Sequence, residues 1–415
     1  MPLVRATLRN AYRGCALGVG FLFACSVQPR PTASQSESGG SPRGHADARP
    51  TVSEARVIVP SNLMPVEVRS QKAHNNLDII RHESRLFFAF RTAPDHFAHR
   101  DAHLYVVSSL DERNWRFEGV FHVGRDLREP RFLSVNGRLS LFYAVLGTDR
   151  TNFQPGRTYR VEYLGPGRWS APEERFTDGF VPWRFVVHDG VAYVMGYVEN
   201  GSLYSTEMSN IEVHWMRSTD GREWRNVSAL GSVIMVGGVS ETAFTFLSDG
   251  DVITVGRNEG GAEGGFGARI CRASAPEYRH WRCENDPRKY DSPLILRHGQ
   301  SVFLVGRRNV TDTGHYDQGG EGDLVERRWL NQAAYWNTPK RCSIWAVDTD
   351  SLSVTFVMDL PTAGDTCFAS IVPDGRNDYI LYDYRSTTDD MDIGWVVGQS
   401  GPTEIYRVRL SFIAP

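Results

Sequence analysis

Six times along this chain a β-forming run, a tight turn and a second β-forming run recur, and the second runs close on arginine or tyrosine. They occupy 86–91 (LFFAFR), 139–144 (LSLFYA), 191–197, 252–257 (VITVGR), 302–307 (VFLVGR) and 379–384 (YILYDY). Most steps between them imply a unit of about fifty to sixty residues, and an all-β repeat of that size is the signature of propeller blades. The spacing predicts an all-β, six-bladed β-propeller of four-stranded antiparallel blades. That prediction matters for function because it fixes where every other side chain points.

The partner runs begin at Asn75, Asp126, Val181, Val239, Asp291 and Asp365. Turns such as Val135-Asn136-Gly137, His188-Asp189-Gly190, Ser248-Asp249-Gly250 and Arg297-His298-Gly299 separate the runs within a unit. Asn-Gly and Asp-Gly suit a tight reversal because both central positions need positive φ. The connections after the second runs are long: 92–102, 258–267 and 308–340. In an up-and-down blade, alternate connections lie on opposite faces. The tight turns therefore share one face, while the long loops, the starts of the first runs and the ends of the second share the other. Side chains at those positions should converge on one mouth, where a rigid scaffold presents its chemistry. The glycine-rich 308–340 connection reads as a mobile lid or rim loop.

Composition narrows the function classes. A net charge of −3 over 415 residues leaves no basic stripe for nucleic acid. No apolar stretch in the body is long enough for a spanning helix. The N-terminus is different in kind. Arg5, Arg9 and Arg13 precede the apolar run 15–24 (CALGVGFLFA), and Cys25 follows Leu22-Phe23-Ala24. A basic head, a short apolar core and a small residue before a cut mark an export signal. The Leu-x-Ala-Cys ending resembles the bacterial lipoprotein cleavage box, which implies lipidation of Cys25, with Ser26 suiting passage to an outer membrane. The expected layout is a leader over 1–25, a Pro/Ser/Gly-rich tether over 26–51 that has too little to bury to fold, and a propeller over 52–415. In an exported chain Cys271 and Cys283 can pair across adjacent strands, and Cys342 and Cys367 can form a second bridge. Their spacing does not suggest a metal site, and His96, His99 and His103 share a loop, a poor platform for one. No metal or cofactor is expected.

Two segments, Ser109–Trp115 (SLDERNW) and Ser218–Trp224 (STDGREW), spell Ser-x-Asp-x-x-x-Trp on the tight-turn face. There the aspartate can accept turn N–H groups while the tryptophan packs between strands, a scaffold role. These boxes resemble the Asp-boxes of sialidases. Phe90-Arg91, Asp126-Leu127-Arg128-Glu129-Pro130-Arg131, Trp183-Arg184, Ser240-Glu241 with Gly256-Arg257, Gly306-Arg307-Arg308 and Gly364-Asp365-Thr366 extend the likeness to bacterial sialidase-like glycoside hydrolases. The resemblance runs from about residue 75 to 409 and implies a propeller acting on terminal sugars of glycans. It departs from the family pattern at Asn76-Leu77-Asp78, where Arg-Ile-Pro is expected, and at Phe368, where a tyrosine is expected. Sialidases use a tyrosine nucleophile, which leaves Tyr384 as the substitute.

Glycosidic cleavage needs two carboxyl groups flanking one bond, and the mouth should hold Glu129, Glu241 and Asp365. Glu241 is the candidate to orient or activate a nucleophile beside Arg257, and Asp365 is the candidate general acid/base. Arg91, Arg128, Arg184, Arg257 and Arg307 fall at strand ends on the same mouth. Bidentate capture of a substrate carboxylate suits them, pointing to an acidic sugar; pairing with the nearby carboxylates is the competing use. His96 is a candidate sugar contact, and Trp183, Tyr197 and Tyr143 are candidate stacking platforms or packing residues. The expected molecule is a monomeric lipoprotein of the bacterial envelope, tied to the membrane by its lipid. It would cleave a glycan or, in the rival case, bind glycan or protein without cleavage.

Overall fold

Residues 49–150, 154–200, 210–262 and 264–413 are described in this computed structural model. The leader, Cys25 and tether residues 26–48 lie outside them. The described chain forms six antiparallel sheets arranged as propeller blades. The innermost strands are Ala73–His82, Leu127–Val135, Phe180–His188, Val239–Phe246, Asp291–His298 and the short Ser370–Pro373. Each hairpins onto the second run of its unit. Three blades have four strands; in the other three the outermost position is shared by two short strands paired with the same neighbour. Blade faces pack against blade faces, so runs such as Phe87, Phe88, Ala89 and Phe90 are buried on both sides.

The sixth blade is closed by the other end of the chain. Arg49–Val52 and Arg56–Val59 both pair with the C-terminal strand Thr403–Ile413. Ile58 and Val59 are fully buried in the core shared with Phe88 and Tyr382. Glu112 fastens the join, accepting from Arg407 at 2.9 and 3.0 Å and from the Tyr382 hydroxyl at 2.8 Å. The strand starting at Arg49 lies partly within the segment read from composition as tether; backbone pairing with Thr403–Ile413, with Pro50 buried and Val52 packed on the core, orders it.

The turn chemistry follows the sequence in two hairpins. Asn136 and Gly137 have φ of 51° and 71°, and Asp189 and Gly190 have 49° and 77°, the mirror-type turn that matches strand twist. In both Ser-x-Asp boxes the aspartate caps the turn: Asp111 accepts from the N–H groups of Arg113 and Asn114, and Asp220 from those of Arg222 and Glu223. Two of the long connections differ from expectation. The strands of the fourth blade run on as Val252–Ala262 and Gly265–Ala273, so most of 258–267 is strand. The 308–340 connection carries a helix, α1 (Leu324–Asn337), capped by the reciprocal pair Asp323 and Glu326. Its buried face holds Arg328, Asn331, Gln332 and Tyr335. Tyr335 donates to Asp291 at 2.7 Å, and its ring lies 3.8 Å from the Lys289 ammonium and 3.9 Å from that of Lys340. A short helix, α2 (Trp395–Gln399), packs beside it, with the Trp395 ring 5.6 Å from that of Tyr335. The connection read as a lid or rim loop thus carries a helix anchored by Tyr335. Disulfides join Cys271 to Cys283 and Cys342 to Cys367.

Candidate functional site

The inner strands slip register where they reach the mouth. In the first five blades the pairing skips one or two residues: Asn76, Glu129 with Pro130, Trp183, Ser240 with Glu241, and Ser292 with Pro293. A bulge breaks the strict in-out alternation and re-aims a side chain. Asn76, Glu129 and Ser292 hold φ of 39°, 53° and 52°, uncommon for residues with a Cβ and concentrated where backbone strain serves a site. Asn76, Glu129, Glu241 and Ser292 line one cavity of about 450 Å3 at the mouth. That size suits a small ligand.

Asp365 precedes the short inner strand of the sixth blade, and its side chain is fully buried. It accepts three bonds: from His96 Nδ1 at 2.6 Å on Oδ2, and from the Tyr384 hydroxyl at 2.9 Å and Trp395 Nε1 at 3.1 Å on Oδ1. Burial disfavours its charge, but His96, Arg307 and Tyr384 outweigh burial and hold its pKa below the ordinary range. Burial pushes His96 down, against the pull of Asp365, so the imidazole is neutral near pH 7 with its proton on Nδ1. Asp365 does not line the cavity, whereas His96 and Tyr384 do. The acid/base candidate Asp365 thus meets the cavity through the side chains bonded to it, His96, Tyr384 and Trp395.

Glu129 and Glu241 reach the mouth from the second and fourth blades. Glu241 accepts from the Ser292 N–H at 2.8 Å and faces Arg257 at 3.0 Å. Arg257 begins an alternating chain of charge through Glu259, Lys289 and Asp291 to Arg307, with contacts of 3.7, 2.7, 3.5 and 3.1 Å. Glu129 has weaker company: Asn76 Nδ2 at 3.3 Å and Arg131 at 3.9 Å, with Oε2 buried and unbonded. Burial raises its pKa to about 7; Arg131 opposes this and Glu241 adds to it. A carboxyl that holds its proton near neutrality can donate it.

The five arginines divide. Arg128, Arg257 and Arg307 line the cavity, each already beside a carboxylate: Asp126, Glu241 and Asp291 respectively. Arg91 is fully buried, bonded to Asp126, Asn75 and the carbonyls of Asp95 and Phe97; it builds the His96 loop from beneath rather than touching a ligand. Arg184 is also buried, donating to the carbonyls of Pro293 and Ala369 in the throat. Neither of these two expected substrate contacts is among the residues lining the cavity: Arg91 is engaged by side chains and carbonyls, Arg184 by carbonyls. Trp183 plugs the throat against Phe368, with the Arg131 guanidinium 4.9 and 4.4 Å from their rings. Tyr143 packs between blades, while Tyr197 lines the cavity. His99 and His103 bond within their own loop, away from His96.

Sequence reasoning missed one wall. Trp329 and Trp336 of α1, with Trp395 and Val396 of α2, form an aromatic side to the cavity. The signal was present as Asp323-x-x-Glu326 ahead of a periodic run ending in Tyr335-Trp336. The glycines at 314, 319, 320 and 322 masked it.

Similar solved structures share this architecture at low identity. A protein of unknown function from Dyadobacter fermentans aligns over 88% of this chain and 99% of its own, with a TM-score of 0.60 and 15% identity. The phage phi92 endosialidase aligns over 83% and 68%, with a TM-score of 0.54 and 10% identity. The Trypanosoma rangeli sialidase in complex with the inhibitor DANA aligns over 82% and 55%, with a TM-score of 0.51 and 13% identity. This chain thus spans about half the length of that sialidase. No family model and no curated protein matches the sequence. The molecule is a six-bladed β-propeller structurally similar to sialidases.

Proposed function

We propose that the protein is a glycoside hydrolase of the sialidase-like type, acting on a terminal acidic sugar. The observation that carries this reading is Glu129: a buried carboxyl with a pKa near 7, aimed by a bulge into a cavity it shares with Glu241 and three arginines. Glu129 protonates the leaving oxygen, and Glu241, held by Arg257 and Ser292, faces the positive charge that grows at the anomeric centre. Arg128, Arg257 and Arg307 supply guanidinium groups for the carboxylate of a sialic or uronic acid. The test is release of sugar from a panel of aryl sialosides and uronides; release from one or more is expected, and silence across the panel sinks the assignment.

A second reading, recognition without cleavage, draws on the carboxylate already beside each lining arginine, which leaves less positive charge for an anion. Binding on a glycan array with no sugar released would select it. The lipoprotein-like pattern ending at Cys25 supports a location for either activity at the bacterial envelope, on a lipid anchor. Cys25→Ser should then move the protein from the membrane fraction to the soluble one.

A further inference from the structure

We propose that His96, held by Asp365, is the general base that takes a proton from the attacking water while Glu129 serves as the acid, so that hydrolysis inverts the anomeric centre. This rests on the glycosidase reading above and deepens it. His96 sits on the loop after the second strand of the first blade and is fixed from four directions. Asp365 takes Nδ1, Arg128 donates to its carbonyl, its N–H donates to the Gln399 carbonyl at 3.1 Å, and Arg91 ties the carbonyls of Asp95 and Phe97 on either side. With the proton on Nδ1, Nε2 carries the lone pair. The ring lines the cavity. A buried carboxylate that fixes the tautomer of a cavity imidazole is the arrangement that makes histidine a base.

The competing nucleophile is Tyr384, whose hydroxyl also meets Asp365. Phenol and carboxyl protons ordinarily differ by about six pKa units. Here burial drives Tyr384 further up while Asp365 is held down, so passing the phenol proton to Asp365 is strongly uphill. Tyr384 is better placed to steady Asp365 than to attack. Water remains. Its oxygen bonds to the anomeric carbon, the glycosidic C–O bond breaks, one water proton goes to His96 Nε2 and the Glu129 proton goes to the leaving oxygen. Exchange with solvent then restores a neutral imidazole and a protonated Glu129.

The experiment follows, by proton NMR, the anomer first released from whichever reporter the wild-type protein cleaves, alongside His96→Gln and Tyr384→Phe. Expected are inversion, a loss of roughly 100- to 10,000-fold in kcat for His96→Gln that added imidazole partly restores, and a loss of no more than about tenfold for Tyr384→Phe. Circular dichroism of each variant separates lost chemistry from lost fold. Retention of configuration, or a sugar-tyrosine adduct at Tyr384 found by mass spectrometry, overturns the base assignment and leaves the glycosidase reading standing. No release from any reporter removes both.

Discussion

His96 Nδ1 lies 2.6 Å from Oδ2 of Asp365, across a gap of 269 residues in sequence and between the first and last blades of the ring. The bond fixes both the ring's orientation and its tautomer. Asp365→Asn keeps the shape but offers an amide in place of a full acceptor, freeing the proton to move to Nε2. A drop of the order of a thousandfold or more in kcat is expected, by analogy with the same exchange in other Asp–His pairs, with little change in melting temperature. Steady-state kinetics on a cleaved reporter checks it.

Activity should follow a bell-shaped pH profile. His96 works as a base only when neutral; burial holds its pKa below 6.5 despite Asp365, with Arg128 and Arg91 adding to the fall. The rate therefore rises with pH through a value under 6.5. Glu129 works only when protonated, and its pKa near 7 makes the rate decline above neutrality. The groups facing Glu129 are Arg131, Glu241, Arg128 and Arg257, so its limb should shift in a Glu241→Gln variant. A kcat/KM profile that stays flat from pH 5 to 9 contradicts both assignments.

Glu129 should also tax the fold. Its folded pKa, near 7, exceeds the ordinary glutamate value of 4.5. Between those values the native state binds more proton than the unfolded one, so stability declines as pH rises through that window and stays lower above it. Glu129→Gln removes the penalty. The variant should be more stable than the wild type at pH 8 by about 3 kcal/mol, and close to it at pH 4, as denaturant titrations at the two pH values would show.

Ring closure depends on the N-terminal strands. A chain beginning at residue 60 lacks Arg49–Val52 and Arg56–Val59, exposing the edge of Thr403–Ile413 and the core under Ile58 and Val59. Burying those two aliphatic side chains is worth about 3–6 kcal/mol. Such a chain should melt well below one beginning at residue 49, and Glu112→Ala, which strips Arg407 and Tyr382 of their acceptor, should lie between them. Thermal unfolding by circular dichroism orders the three.

The propeller could be read in advance because its signals are local. Val191 to Tyr197 alternates and ends in an aromatic whatever surrounds it, and Asp189-Gly190 makes its turn unaided. Blade geometry alone led to the expectation that Glu129, Glu241, Asp365 and the strand-end arginines gather at one mouth. The division among arginines did not, because Arg91 and Arg257 occupy equivalent strand ends and differ only in what lies above them: a loop whose carbonyls consume Arg91, and open cavity at Arg257. The surroundings of Asp365 were illegible for the same reason. Whether a carboxylate meets solvent or an imidazole depends on a residue from another blade, and no spacing within 365–369 records it.

The slipped pairings at Asn76, Glu129, Glu241 and Ser292 mean that four of the six blades deliver an inner-strand side chain through a kinked position, while the hydrogen-bonded strands on either side stay in step. Exchanging one such residue re-equips the mouth without disturbing the ring. Chemistry on this scaffold can therefore be rewritten one spoke at a time, so that two molecules of nearly identical outline can perform different reactions.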